Sequence, residues 1–185
     1  MNPLITRSSN LPVDPMFLAR WSPRAFDGSP LPLTDLMTMF EAARWAPSAN
    51  NKQPWRFMYA LQGDQHWQTF VSLLHPANAG WAQHAGALVF LLADTDPPTH
   101  RFDAGAAWSH IALQALLLGY QAHAMAGILH TDVRTKLVVP EHLSVEIAIA
   151  IGAQANPGQL PEPLRAREQP SDRLALAELI THGGY

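Results

Sequence analysis

The chain has 185 residues, a length that suits one domain, with 48% apolar residues and only 15% charged ones, against roughly a quarter in an average soluble domain. That balance excludes a disordered tail or a charge-rich coiled coil, and the net charge of −3 argues against a nucleic-acid binder. Cysteine is absent, which excludes disulfides and thiolate chemistry and points to a reducing cytoplasm.

Residues 1–15, with Pro3, Pro12 and Pro15 among polar residues, read as a flexible N-terminal arm, and 16–185 as a single domain. Thr34 to Ala46 is expected as a helix capped by Thr34, with Leu36, Phe40 and Ala43 on one face and Pro47 as its stop. Trp55 to Leu61 alternates as a strand does. Asp64 to His75 carries Trp67, Phe70, Val71 and Leu74 at helical spacing. Gly86 to Ala93 is wholly apolar and suits a central strand. Ala104 to Leu118 is apolar nearly all round and is expected as a buried helix closed by Gly119. A short segment near Ala122 to Ile128 follows, then a short helix over Thr131 to Val139 capped by Thr131. Val145 to Ile151 reads as a strand with Val145, Ile147, Ile149 and Ile151 on one face. Residues 156–170 look extended, and Ser171 to Ile180 ends the chain with a helical piece. The order of elements fits α+β or α/β. The longest apolar runs fall short of the ~20 residues that span a bilayer, and the N-terminus lacks the basic start and apolar run of a signal peptide.

The commonest enzyme signatures are missing: no GxGxxG, no GxxxxGK[ST], no GxSxG and no HExxH. His100 and Asp103 read as a solvated turn rather than a metal site, and His110 as a hydrogen-bonded core histidine. Two segments carry more chemistry. In Arg20-Trp21-Ser22-Pro23-Arg24-Ala25-Phe26, two guanidiniums and a hydroxyl fall within five residues. They either converge on one anion or form an exposed loop. In Arg44-Trp45-Ala46-Pro47-Ser48-Ala49-Asn50-Asn51-Lys52-Gln53-Pro54-Trp55, three carboxamides lie between two prolines. Carboxamides offer both donors and acceptors, which a ring with an alternating edge requires; a helix-to-strand turn also favours Asn, Ser and Pro.

These two segments, their spacing and the strand after Gln53-Pro54-Trp55 resemble the FMN-dependent nitroreductase-like oxidoreductases. Asn78 ahead of the Gly86 strand, Met125-Ala126-Gly127 after the long helix, and the late pair Arg165 and Arg167 fall where that family places flavin contacts, so the resemblance spans about residues 16–181. It implies an α+β layered sandwich, a mainly antiparallel sheet flanked by helices, in an intertwined homodimer with FMN at the interface. It assigns Arg20, Trp21, Ser22 and Arg24 to the FMN phosphate and ribityl end, with Arg165 and Arg167 closing over the same phosphate. Pro47, Ser48, Ala49, Asn51 and Gln53 contact the cofactor, some from the partner subunit. Asn78 reaches the pyrimidine edge, and Met125, Ala126 and Gly127 offer backbone near the ring system. The implied activity is ping-pong: hydride passes from NADH or NADPH through flavin N5 to a small oxidised acceptor such as a nitroaromatic or a quinone. The resemblance names no catalytic acid, base or metal, and no nucleic-acid or membrane partner.

The chain departs from the pattern in two places. Many relatives carry a lysine a few residues after Asn78, next to flavin N1; here that place is near Trp81, with Gln83 and His84 the nearest polar residues. Ala126 stands where the family often has an acidic or polar residue. Trp81, Phe102 and Trp108 either line the acceptor pocket or belong to the core. The alternative reading is a non-catalytic or differently specialised flavin-binding protein of the same fold.

Overall fold

In a computed structural model of the chain, which describes residues 7–184, the apolar run ends up in the middle of the sheet. The first six residues of the expected arm, Pro3 among them, and Tyr185 lie outside the described residues. Four strands, β1 (Trp55–Leu61), β2 (Ala87–Asp94), β3 (Gln121–Met125) and β4 (Leu143–Gly152), form one sheet in the order β1-β2-β4-β3, every neighbouring pair antiparallel. β2 is buried on both faces from Ala87 to Ala93, as an apolar run suits, and only its last residue, Asp94, is partly exposed.

Helices cover both faces. α2 (Leu33–Arg44) and α5 (His100–Leu117) lie on one side, where Leu36, Met39, Ala43, Ala107 and Ile111 pack against Val89, Leu91, Ile149 and Ile151. α3 (Trp67–Ser72), α4 (Pro76–Ala82) and α6 (His130–Lys136) lie on the other, where Trp67, Phe70, Trp81 and Val133 pack against Leu88, Phe90 and Leu92. Burying each large side chain of this kind contributes about 1.5–3 kcal/mol. Short helices α1 (Pro15–Ala19), α7 (Glu162–Arg165) and α8 (Leu176–Leu179) sit near the chain ends. No helix among the described residues is long and apolar enough to cross a membrane.

Several elements differ from expectation for physical reasons. α2 starts at Leu33 with Pro32 as its N-cap; Thr34 lies inside it, and its carbonyl accepts from the Thr38 hydroxyl. The stretch 64–75 is not one helix. Asp64 accepts backbone N–H groups from Leu61 and His66, so a turn precedes α3, and Leu74 leaves the helix to bridge Ile128. Pro76 then starts α4, a helix the sequence pattern hid because its residues are small. α5 begins a turn early and is buried on one side only; Phe102 is 82% exposed and Leu117 64%. α6 ends at Lys136, and Val138 takes a left-handed φ of 52° before Pro140; its N-cap is Leu129, not Thr131. The four β-branched residues of β4 do not share a face. Leu91 pairs with Ile147 but Leu92 pairs with Val145, so Glu146 is a bulge residue. The bulge turns Val145 to the α3–α4 side while Ile149 and Ile151 face α2 and α5. Residues 156–170 are not extended throughout but hold a turn at Pro157–Gln159 and the single turn α7. The last helical piece shrinks to α8.

Candidate functional site

The loop after α1 is fixed from both sides. Phe26 bridges Gln154, the Asp27 N–H donates to Ala153 O, and the Ala155 N–H donates to Ala25 O. On the other flank, one oxygen of Glu168 accepts the backbone N–H groups of Arg24 at 2.6 Å and Ala25 at 2.8 Å. Glu168 is buried, its second oxygen has no hydrogen-bond partner, and the Arg24 guanidinium stands 3.9 Å away. This carboxylate therefore locks the C-terminal segment onto the Arg20–Arg24 loop.

The lock assembles a cavity of about 340 Å³ lined by Arg20, Ser22, Arg24, Arg167, Ser171 and Arg173, with Trp21 and His123 behind. Four guanidiniums and, among the described residues, no carboxylate line it. Burial, then the nearby Arg173 and Arg7, lowers the pKa of Arg20. Like charges held together against their repulsion leave a site that favours a multiply charged anion. The Arg20 Nη1 donates to the Ser22 Oγ at 3.2 Å, which leaves that hydroxyl's proton available. Arg165, expected beside Arg167, instead pairs with Glu162 and does not line the cavity. Arg173 takes a place that the sequence reading gave to no residue.

His123 stands on β3 behind the loop, with Nδ1 2.9 Å from Pro23 O and its ring 4.7 Å from Trp81. Burial, together with Arg24 and Arg20 and against the hydrogen bond to Pro23, brings its pKa down to about 4, so the ring is neutral near pH 7. A neutral ring bonded to a carbonyl through Nδ1 carries its proton there.

Asn78 and the 125–127 segment meet, as the Asn78 Nδ2 donates to Gly127 O at 3.0 Å. A Cβ on residue 127 would fall 2.6 Å from that nitrogen, so only glycine allows the contact. Met125 is buried and Ala126 exposed.

The amide-rich loop is strained and held. Asn50, Asn51 and Gln53 have φ of 49°, 55° and 48°, a region most side chains avoid. The Gln53 N–H donates to the Ser48 Oγ, the Gln53 Nε2 donates to Asn51 O, and the Ala49 N–H lies 3.3 Å from both oxygens of Asp103. Asp103 is therefore not solvated. It is buried under this loop and takes a further bond from the Thr99 hydroxyl. Pro47, Ser48, Ala49, Asn51 and Gln53 feed β1, while His123 and Met125 sit on β3 at the opposite sheet edge. Three strand spacings, roughly 14 Å, separate the two edges. One chain therefore does not bring this loop to the arginine cavity.

Of the aromatic residues, Trp81 is buried beside Phe26, Phe102 is exposed, and Trp108 packs against the α2–α5 core. His110 does make the expected bond, with Nδ1 3.0 Å from Ala42 O.

Residues 18–153 match the profile of the Nitroreductase family. The chain belongs to the nitroreductase family. Its fold matches a crystal structure described as an oxidoreductase containing FMN, with 46% identity, a TM-score of 0.95, and coverage of 100% of this chain and 98% of that one. A protein from Desulfovibrio desulfuricans solved in complex with FMN shares the nitroreductase fold at 24% identity and a TM-score of 0.77, over 96% and 99% of the two chains. An uncharacterised 15.4 kDa protein from Mycolicibacterium smegmatis is 31% identical over 130 residues, 66% of this chain and 86% of that protein. Within the nitroreductase frame, the arginine cavity and the Asn78–Gly127 contact lie at β3, one edge of the sheet.

Proposed function

We propose that the protein is a homodimeric FMN-dependent oxidoreductase that takes hydride from NADH or NADPH and delivers it to a small oxidised acceptor, such as a nitroaromatic or a quinone. The observation that carries this reading is the donor set of the cavity. Arg20, Arg24, Arg167 and Arg173 with Ser22 and Ser171 match a phosphate dianion, and no acid lines the same wall. The 46% identical oxidoreductase that contains FMN supports it.

FMN, when bound, supplies hydride exchange at N5, chemistry that no side chain of this protein offers. The chain's own residues bind and orient. Arg20, Ser22, Arg167 and Arg173 hold the phosphate, with Trp21 packed behind them. Arg165 would have to leave Glu162 to join them. Asn78 has its Nδ2 committed to Gly127, so its Oδ1 is the atom that meets a ring N–H. Met125, Ala126 and Gly127 offer backbone atoms alongside. Pro47, Ser48, Ala49, Asn51 and Gln53, at the far edge of the sheet, serve the site of a second copy.

Purified protein is expected to be yellow, to release FMN on heating, and to bleach under anaerobic NADH or NADPH. Colourless protein that takes up no added FMN sinks the cofactor assignment. Arg20→Ala should weaken FMN binding roughly 10- to 100-fold, the equivalent of losing charge-assisted bonds of about 1.5–3 kcal/mol. Unchanged affinity, read by flavin fluorescence, would make the loop a bystander. The absence of a lysine near Trp81 favours a second reading, a flavin-binding protein without reductase activity. That reading gains if the protein is yellow and neither nicotinamide bleaches it.

A further inference from the structure

The proposed chemistry leaves one buried carboxylate, Asp103, without a task. Asp103 is 2% exposed, stands in the first turn of α5, and has no ion-pair partner among the described residues. Its side chain accepts from neutral groups, the Ala49 N–H at 3.3 Å and the Thr99 hydroxyl at 3.0 Å. A buried charge without a cation is costly, and the N-terminal end of α5 offsets part of that cost. A carboxylate offers two acceptor atoms and no donor, so it can take an N–H and an O–H at once where water does not reach.

What it holds is the amide-rich loop. The other hydrogen bonds of residues 48–53 are local: the Asn51 N–H donates to Ser48 O, the Lys52 N–H to Ala49 O, the Gln53 N–H to the Ser48 Oγ, the Gln53 Nε2 to Asn51 O, and the Arg56 Nη1 to Gln53 O. Among the described residues, Asp103 makes the only hydrogen bonds to this loop from beyond residue 56. The left-handed φ of Asn50, Asn51 and Gln53 persists only where the surroundings impose it. Asn50, Asn51 and Gln53 are exposed while Ala49 is half-buried against Asp103. The loop is thus pinned on its inner side and offers its carboxamides outward.

We infer that Asp103 is the positioning residue of this loop: by fixing the Ala49 N–H it holds Ser48, Asn51 and Gln53 in the arrangement that meets the cofactor of a second copy. The inference rests on the proposed assignment of that loop to the cofactor. It makes α5 of one protomer a determinant of cofactor affinity in its partner.

The test compares Asp103→Ala with Asp103→Asn in the full chain. It reads FMN affinity by flavin fluorescence, the visible circular dichroism of bound flavin, and amide exchange without FMN. Asparagine keeps the tie, because its oxygen accepts from Ala49 and its amide donates to the Thr99 hydroxyl. In Asp103→Ala, amides at 49–53 should exchange at least about tenfold faster while β1 and β2 keep parental rates. FMN should bind at least about tenfold more weakly, and the visible dichroism of the bound flavin should shrink. Asp103→Asn should stay within about threefold of the parent in affinity and exchange. A purely structural carboxylate would lower the melting temperature and leave FMN affinity and dichroism of the folded protein unchanged. That result, or a loss that Asp103→Asn shares in full, overturns the inference. If Asp103→Ala does not fold, Asp103→Leu fills the space without an acceptor and is held to the same criteria. A parent chain that takes up no FMN refutes the cofactor assignment and this inference together; a parent that binds FMN no more tightly than Asp103→Ala refutes this inference alone.

Discussion

His123 shows how one side chain sets a pH limit. The ring is half-buried behind two arginines and neutral near pH 7, with a pKa of about 4 in the fold against 6.5 when unfolded. The unfolded chain therefore binds more protons between those values. Stability should be full above about pH 6.5 and fall as pH drops toward 4, by up to about 3 kcal/mol from this group alone. His123→Asn keeps a donor for Pro23 O and removes the titration. Urea midpoints at pH 7 and pH 4.5 should converge in that variant relative to the parent; an unchanged gap would assign the pH dependence to other groups. Arg173 teaches a complementary lesson. The family resemblance pointed to Arg165 and Arg167, and Ser171 to Ile180 was expected to be helical. In the structure that stretch stays irregular until Leu176, and the lock at Glu168 carries Arg173 into the cavity while Arg165 turns to Glu162. The only sequence signal was a third arginine soon after a proline.

Strands and loops were legible to different degrees, for reasons their residues make plain. β1 has the bounds its alternation predicts, and β2 follows from eight residues without a buried polar group. β4 exceeds its expected length, and its bulge at Glu146 was invisible because a bulge alters register, not composition. α4 was missed because Ala77, Ala79, Gly80 and Ala82 leave too few large residues to mark a period. The arginine loop was legible as chemistry but not as geometry. Nothing near residue 24 announces that its backbone will be held by Glu168, 144 positions away. Glu168→Ala strips the acceptor from two N–H groups and should cost about 2–4 kcal/mol in stability. It should also speed amide exchange across residues 165–173. Exchange that stays at parental rates there would show that other contacts hold the segment.

The low charge content takes on meaning for the molecule as a whole. Phe17, Phe102, Leu117, Val138, Leu174 and Leu176 are large apolar residues left exposed on a single copy. The two halves of the proposed cofactor site stand at opposite edges of the sheet, so a single copy lacks one half. Both facts predict a dimer whose sedimentation coefficient does not change on dilution to the micromolar range. The variant Leu117→Glu on the exposed side of α5 should yield monomers, and with them a loss of bound flavin. A monomeric parent, or a monomeric variant that retains flavin, would refute the shared site.

The anion cavity draws on both ends of the chain, with Arg20 and Arg24 near one and Arg167 and Arg173 near the other, joined by Glu168. A chain cut short before residue 167 can still form its sheet and both cores, yet it has only half of these arginines in place. On the proposed assignment, such a chain folds into something that cannot be loaded with a phosphate ligand.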